Sequence, residues 1–135
     1  MKLVVDTNIL FSFFKETSLT RKLIECSSFE LISPKIAIDE IKKYSEEIID
    51  KLNITKSEFN MLLEDIKRSI NFIDKKEYAD FINHAEKISP DLKDADFLAL
   101  SMKESCPLWS NDNLLKKQNQ ITILNTNEII DLLFG

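Results

Sequence analysis

The sequence predicts an α/β protein: a single-domain, three-layer α/β/α sandwich built on a parallel sheet of about five strands. Short apolar runs typical of buried strands alternate with longer segments of helical periodicity, and this alternation favours a parallel sheet with helices on both faces. The length of 135 residues is enough for one substantial core but too short for two. We therefore expect one domain over residues 1–135.

The predicted elements follow from local signals. Five short apolar runs predict strands at about residues 2–5, 29–32, 70–73, 108–109 and 121–124. Apolar residues three and four positions apart predict helices at about residues 8–14, 18–26, 34–49, 55–68, 78–88, 94–104 and 126–133. Ser33 and Pro34 have the chemistry of an N-cap followed by proline in the first turn. Thr55 with Glu58 fits a capping box, and Thr126 is expected to cap the last helix.

Composition excludes several classes of protein. Gly135 is the only glycine, so neither a P-loop nor a dinucleotide-binding loop can be formed. Cys26, Cys106 and the single histidine, His84, are too few and too isolated for a disulfide framework or a zinc site, and we expect both thiols to be free core residues. The formal charge of −5 argues against a protein that coats nucleic acid through a basic surface. It is compatible with an enzyme whose acids hold cations.

The sequence also predicts where the protein is found. No stretch approaches the ~18 uninterrupted apolar residues of a membrane span. Asp6 and Asn8 interrupt what would have to be the apolar region of a signal peptide. We therefore expect a cytoplasmic protein with no membrane partner.

Four carboxylates are placed to meet at one edge of the predicted sheet. Asp6 ends an apolar run and Asp112 ends the run LWSND at residues 108–112, so both are expected at the carboxyl edge of a strand, where open α/β sheets bind ligands. Glu40 lies between two apolar positions of its helix and should face inward or line the rim of the core. Asp94 opens another helix. Taken singly, Asp94 also fits a routine helix cap and Asp112 an Asx turn.

A cluster of acids has a chemical consequence. Two carboxylates ~5 Å apart repel by about 3 kcal/mol at an effective dielectric of 20, so such a cluster needs cations or protons. Oxygen ligands without His or Cys select the hard ions Mg²⁺ or Mn²⁺. In-line hydrolysis of a phosphodiester uses such ions to activate water and to stabilise the leaving oxygen. The four acids therefore indicate metal-dependent phosphodiester hydrolysis.

These residues resemble the PIN domain family along essentially the whole chain, in order and in spacing. The segments that carry the resemblance are VVDTNIL at residues 4–10, Glu40 in a helix entered through Ser33 and Pro34, KDADFLAL at residues 93–100, and SND at residues 110–112. The resemblance implies a single PIN-like nuclease domain with a five-stranded parallel sheet. Residues from about 50 to 89 carry no family signature and are expected to be helical scaffold.

The same resemblance implies an endoribonuclease that hydrolyses RNA phosphodiester bonds with Mg²⁺ or Mn²⁺ as cofactor. It assigns both catalysis and metal binding to the four acids Asp6, Glu40, Asp94 and Asp112. Asn8 and Ser110 would be supporting polar residues. Asp91 and Asp96 flank Asp94, and Asp96 stays an alternative ligand although helical geometry turns it off the inner face.

Small stand-alone members of this family are often toxins of toxin–antitoxin pairs. The resemblance therefore implies an RNA substrate and an antitoxin protein as partners. A homodimer is expected from the resemblance and from the apolar helices.

Two other classes of function stay open. A phosphotransfer or phosphatase domain also places acids at strand ends, but a phosphatase of the haloacid type would need a second Asp where Asn8 stands. A non-catalytic RNA-binding or interaction module could keep the same fold. The presence of all four acids speaks against such a loss of chemistry.

Some conspicuous residues have ordinary explanations. The pairs Lys42-Lys43 and Lys116-Lys117 could meet phosphates beside the site, but such pairs usually form a solvated surface. Trp109 could stack on a base, yet its predicted strand is buried, so we expect it in the core. His84 lies in a charged helix and is expected to be an ordinary surface residue.

Overall fold

One five-stranded parallel sheet forms the centre of the structure, a computed structural model that describes residues 1–16, 18–26 and 28–135. The strands are β1 (Lys2–Val5), β2 (Glu30–Pro34), β3 (Asn71–Ile73), β4 (Leu108–Trp109) and β5 (Ile123–Leu124). Their order across the sheet is β3-β2-β1-β4-β5, and all neighbouring strands are parallel. The predicted fold class, strand number and parallel arrangement are confirmed.

Helices connect the strands and complete the α/β/α layers. The α-helices of the described residues are α1 (Thr7–Ser12), α2 (Leu19–Cys26), α3 (Ile36–Lys43), α4 (Ser45–Leu52), α5 (Lys56–Ser69), α6 (Ile82–Ile88), α7 (Ala95–Glu104) and α8 (Thr126–Phe134). Short 3₁₀ turns lie at Lys75–Glu77, Ala79–Phe81, Leu92–Asp94 and Asn113–Lys117. Within the described ranges, none of these helices is both long and apolar enough to cross a bilayer.

The path of the chain across the sheet creates a crevice next to β1. From β1 the chain adds β2 and then β3 on one side, and it returns to place β4 against the other side of β1. At such a switch point a crevice opens at the carboxyl ends of the two central strands, because their connections leave in opposite directions. Val5 pairs in register with Trp109, so the residues that follow, Asp6 and Ser110, emerge side by side.

A buried hydrophobic core holds the two central strands in place. Val5 of β1 and Trp109 of β4 are both fully buried, which confirms the predicted core position of Trp109. The Trp109 indole Nε1 donates a hydrogen bond to Thr126 Oγ1 at 3.2 Å. Helix α7 contacts both β1 and β2, and its Leu98 is fully buried. Burial of each such side chain stabilises the fold by about 1.5–3 kcal/mol, so the strand ends are firmly positioned.

Strand β2 continues through Ser33 and Pro34, where the sequence predicts the start of a helix. Pro34 pairs in register with Ile73 of β3, and the Lys35 amide donates to the Ile73 carbonyl at 2.8 Å. Ser33 is fully buried, and its hydroxyl donates to the Val5 carbonyl at 2.8 Å. The predicted cap was wrong because strand pairing holds both residues extended. Lys35 instead precedes α3 and provides no side-chain cap.

Three further helix predictions differ from the structure in their ends. The predicted helix at residues 34–49 is broken at Tyr44 (φ −99°, ψ 15°), which separates α3 from α4 without a glycine or proline to mark the break. The predicted helix at residues 78–88 begins with a 3₁₀ turn before α6. Asn125, not Thr126, caps α8, because the Asn125 side chain accepts from the Glu128 amide in a capping box. The capping box at Thr55 is confirmed.

The two cysteines are free thiols, as predicted. Cys106 is half-buried, but Cys26 is exposed, so the expectation of a core position was wrong for Cys26. Cys26 is the last residue of α2 and lies off the buried face that Leu23 and Ile24 form.

Candidate functional site

Asp6 is the most tightly held acid of the crevice. It follows β1, is only 5% exposed, and accepts two hydrogen bonds. Its Oδ1 accepts from the Thr7 amide at 2.8 Å, and its Oδ2 accepts from the Ser110 hydroxyl at 2.7 Å. Burial raises the pKa of Asp6, the charge of Asp112 raises it further, and the two hydrogen bonds lower it. The carboxylate is therefore fixed in orientation and kept in an environment that disfavours an uncompensated negative charge.

Ser110 joins two of the predicted acids. It follows β4, is 1% exposed, and accepts a hydrogen bond at 3.1 Å from the amide of Asp112 while it donates to Asp6. Asp112 is half-buried, and its Oδ1 accepts from the Leu114 amide at 3.0 Å at the start of a 3₁₀ turn. Asp112 thus forms the Asx-turn hydrogen bond that its sequence context suggests. At the same time its charge reaches Asp6.

Asp94 lies at the end of the 3₁₀ turn before α7 and does not act as a helix cap. Its side chain makes no capping hydrogen bond, so the capping interpretation does not hold for this residue. Burial raises the pKa of Asp94 to about 6, with further contributions from the negative charges of Asp6, Asp112 and Asp91. Asp94 therefore shares its electrostatic environment with both strand-end acids.

Glu40 approaches the same edge of the sheet from α3. It is half-buried, and burial raises its pKa, with further contributions from the charges of Asp6 and Asp96. The Thr7 hydroxyl lowers this pKa, although Thr7 Oγ1 is buried and has no hydrogen-bond partner of normal length among the described residues.

Asp96, the alternative to Asp94, has a structural partner. Its Oδ2 accepts a hydrogen bond at 2.7 Å from the hydroxyl of Tyr78, a residue that is only 1% exposed. Burial and this hydrogen bond raise the pKa of Tyr78 well above its usual range, so the phenol stays protonated and donates. Asp96 is therefore engaged by Tyr78, whereas Asp94 makes no capping hydrogen bond among the described residues. Asn8, predicted as a supporting residue, is exposed on α1.

Lys93 is the residue of this site that sequence reasoning missed. Its charge lowers the pKa of Asp6, Glu40 and Asp94, while its side chain is 81% exposed and its Nζ lies 3.7 Å from Asp91 Oδ2. The only signal in the sequence is its position next to Asp94 in an acidic loop. Lys93 offsets part of the negative charge of the crevice.

The other residues singled out from the sequence lie at the surface or in the core. Lys116 pairs with Glu128 at 2.6 Å, and Lys43 lies over the ring of Tyr44. Lys42 and Lys117 are exposed. The surface position expected for His84 is confirmed, with a side-chain contact to Gln120.

The donor chemistry of the crevice fits a hard divalent cation. Asp6, Glu40, Asp94 and Asp112 offer only oxygen ligands, and the raised pKa of three of them shows that nearby positive charge would be favourable. Among the described residues, no three acidic, histidine or cysteine side chains are placed to hold one metal ion together. The assignment of these four residues as metal ligands therefore stays a prediction.

Comparison with known proteins supports the fold. The chain is similar to one chain of the crystal structure of VapBC2 from Rickettsia felis bound to a DNA fragment from their promoter, with a TM-score of 0.67 and 14% sequence identity. The similarity covers 93% of this chain and 98% of that one. No curated protein matches the sequence. The sequence profile of the PIN domain matches residues 4–130. The chain therefore belongs to the PIN domain family.

Proposed function

We propose that the protein is a divalent-metal-dependent endoribonuclease that hydrolyses RNA phosphodiester bonds in the cytoplasm. One observation carries this proposal: Asp6 and Ser110 leave the two central strands side by side, and the charges of Asp94 and Asp112 reach the buried Asp6 carboxylate. The switch point of an open α/β sheet is a general ligand site, so a cluster of acids there is in a position to act on a substrate. Members of the PIN domain family are generally nucleases.

The proposed ligands of the metal are Asp6, Glu40, Asp94 and Asp112. When bound, Mg²⁺ or Mn²⁺ supplies the Lewis acid that activates a water molecule and stabilises the leaving oxygen of a phosphodiester. The protein contributes orientation. The amide of Thr7 and the hydroxyl of Ser110 hold one oxygen each of Asp6, and the Ser110 hydroxyl fixes the backbone of Asp112 through a second hydrogen bond. Such contacts hold a ligand in its binding geometry before the cation arrives.

Lys93 has a separate part in this proposal. Its exposed side chain stands at the rim of the acidic crevice, so it lowers the repulsion that an RNA phosphate would meet on approach. A phosphate bound at the acids needs positive charge on its outer side as well, because the carboxylates repel it. Lys93 is suited to that position.

We further propose that the protein is the toxin of a toxin–antitoxin pair, with an antitoxin protein as partner and a homodimer as its own assembly. The support is family membership and the similarity of the fold to one chain of the VapBC2 structure. Expression in a bacterial host should arrest growth, and Asp6→Asn should abolish the arrest. Growth arrest by both proteins would contradict a nuclease toxin. The molar mass in solution tests the dimer directly.

The decisive experiment is cleavage of a labelled single-stranded RNA. We expect hydrolysis in Mg²⁺ or Mn²⁺, none in EDTA, and none by Asp6→Asn purified in parallel, which controls for contaminating nuclease. Equal cleavage in EDTA and in Mn²⁺ would exclude the metal mechanism. Binding of RNA without any cleavage would instead favour the non-catalytic module, and hydrolysis of a phosphomonoester alone would favour the phosphatase.

A further inference from the structure

An open groove runs along the carboxyl ends of β2 and β3, beside the acidic crevice. Its volume is about 560 Å³. Lys35 and Asp74, which line it, follow β2 and β3 directly, so the groove lies at the same edge of the sheet as Asp6 and extends away from it on the β3 side.

The groove and the acidic crevice are neighbours across α3 and α7. Asp39 of α3 lines the groove, and the next residue, Glu40, belongs to the crevice. Asp96 of α7 also lines the groove, and its charge raises the pKa of Glu40. The groove and the acidic crevice therefore adjoin, and a chain molecule bound at the acids has the groove next to it.

Four lysines line the groove, although the whole protein carries a formal charge of −5. Two of them are paired: Lys35 with Asp74 at 3.3 Å, and Lys67 with Glu64 at 3.4 Å. The other two, Lys42 and Lys75, are exposed and form no ion pair with the described residues. Unpaired ammonium groups in a groove are suited to bind the phosphates of a flexible polyanion.

Apolar side chains also line the groove. Phe72 is half-buried there, and Ile36 is 40% exposed. These side chains give the groove apolar contact area beside its lysines. This combination of separated cations and apolar surface is suited to the sugar-phosphate backbone and bases of a single strand.

We propose that this groove binds the phosphates of a single-stranded RNA segment on one side of the cleaved bond, with Lys42 and Lys75 as the contacts. The proposal rests on the ribonuclease function proposed above. Lys42 and Lys75 are assigned to RNA binding and not to catalysis, because neither belongs to the acidic crevice.

The test is the salt dependence of RNA binding in EDTA, where cleavage is not expected. The probe is a fluorescein-labelled 12-nucleotide polyuridylate, and its affinity is measured by fluorescence anisotropy between 50 and 200 mM KCl. Each phosphate contact contributes about 0.7 to the slope of log K against log salt for a single strand. The variant Lys42→Gln/Lys75→Gln should therefore lower the slope by about 1.4 and weaken binding roughly 20-fold at 0.1 M salt.

Two matched variants isolate the groove. Lys22→Gln/Lys56→Gln removes the same charge from exposed lysines that do not line the groove, and it should bind like the parent. Lys42→Arg/Lys75→Arg keeps the charge and should keep the slope. An unchanged slope in Lys42→Gln/Lys75→Gln, an equal loss in Lys22→Gln/Lys56→Gln, or no RNA binding by the parent would overturn the proposal.

Two further measurements separate this proposal from its alternatives. A dinucleotide, UpU, is too short to fill the groove, so parent and Lys42→Gln/Lys75→Gln should cleave it equally, while the long oligomer shows a raised KM and an unchanged kcat. Displacement of the oligomer by millimolar inorganic phosphate would identify a free-anion site and overturn RNA binding. If no protein cleaves RNA but the slope falls as expected, the ribonuclease function fails and the groove still binds RNA.

Discussion

The hydroxyl of Ser110 donates a 2.7 Å hydrogen bond to Oδ2 of Asp6, across 104 positions of sequence and at the ends of the two central strands β1 and β4. Both residues are almost completely buried. Such a contact is strong when its acceptor is ionised, and at this buried position water does not compete with it. It fixes the orientation of Asp6 and, through the amide of Asp112, the start of the loop that carries a second acid.

Ser110→Ala should therefore impair the site without a change of charge. It leaves Asp6 Oδ2 without its partner, which raises the pKa of Asp6 further and frees its side chain. We expect Mn²⁺ affinity to fall about 10–100-fold, and cleavage to fall with it. Isothermal titration calorimetry and a cleavage assay measure the two effects.

Ser101→Ala is the matched control for that change. Ser101 is also fully buried, but its hydroxyl has no hydrogen-bond partner among the described residues. Its loss removes no hydrogen bond to a described residue, so Mn²⁺ affinity and cleavage should stay at the parent level. Equal Mn²⁺ affinity in the two alanine variants would show that Ser110 does not position Asp6.

Asn substitutions at Asp91, Asp94 and Asp96 should separate the metal ligand from its neighbours. Asp94→Asn should lower the cleavage rate by on the order of 10² or more, because Asp94 is the one whose charge couples to both strand-end acids. Asp96→Asn should cost only a few-fold, since the amide oxygen can still accept from the Tyr78 hydroxyl. A large loss at Asp96 with Asp94→Asn nearly intact would reverse this assignment.

Much of this site could be predicted because the end of a buried strand can be recognised in the sequence. Leu3, Val4 and Val5 form a buried apolar run that stops at Asp6, and in a parallel sheet that position has few alternatives. The start of α3 could not be recognised in the same way. Ser33 and Pro34 have the local chemistry of a helix start, but pairing with β3 and a hydrogen bond to the Val5 carbonyl decide their conformation.

The electrostatic partners of the acids could not be predicted for a related reason. Lys93 is next to Asp94 in the sequence, but Asp6 and Glu40 lie far away along the chain, and only the assembled fold brings those two carboxylates within range of it. The lysines of the groove likewise come from α3, α5 and the turn after β3. Long side chains on different elements leave no periodic signal in the sequence.

The metal-free protein should become more stable as the pH falls from 7 to 5. Asp94 has a pKa of about 6 in the folded protein and a normal value of 3.8, so between these values the folded state binds more protons than the unfolded state. Stability is therefore lowest above pH 6 and rises as the pH falls through 6. The raised pKa values of Asp6 and Glu40 act in the same direction.

Thermal melts in EDTA at pH 7, 6 and 5 measure this dependence. The melting temperature of the parent should rise as the pH falls, and the rise should be smaller in Asp94→Asn, which has no charge to lose at that position. Asp80→Asn, at an exposed position outside the crevice, should keep the dependence of the parent. A melting temperature that falls steadily from pH 7 to pH 5 would contradict the repulsion among these acids.

Asp6→Asn should raise the melting temperature of the metal-free protein while it abolishes cleavage. Burial and the charge of Asp112 both disfavour the Asp6 carboxylate, and the neutral amide removes that cost. The Asn oxygen can accept from the Thr7 amide, and its nitrogen can donate to the Ser110 hydroxyl, so the contacts of Asp6 are largely kept. We expect a gain of about 1 kcal/mol, or a few degrees, which is the usual trade-off between stability and activity at a strained site.

The response to metal makes this prediction specific to a ligand. Mn²⁺ that binds only the folded state stabilises it in proportion to its affinity, so added Mn²⁺ should raise the melting temperature of the parent more than that of Asp6→Asn. If Asp6 served only to cap α1, its replacement would be neutral or destabilising in EDTA and the two proteins would respond equally to Mn²⁺. Melts of both proteins in EDTA and in Mn²⁺ decide between these roles. If Asp6 is a metal ligand, Asp6→Asn raises the melting temperature in EDTA and reduces the stabilisation by Mn²⁺. If Asp6 is only a capping residue, the substitution does neither.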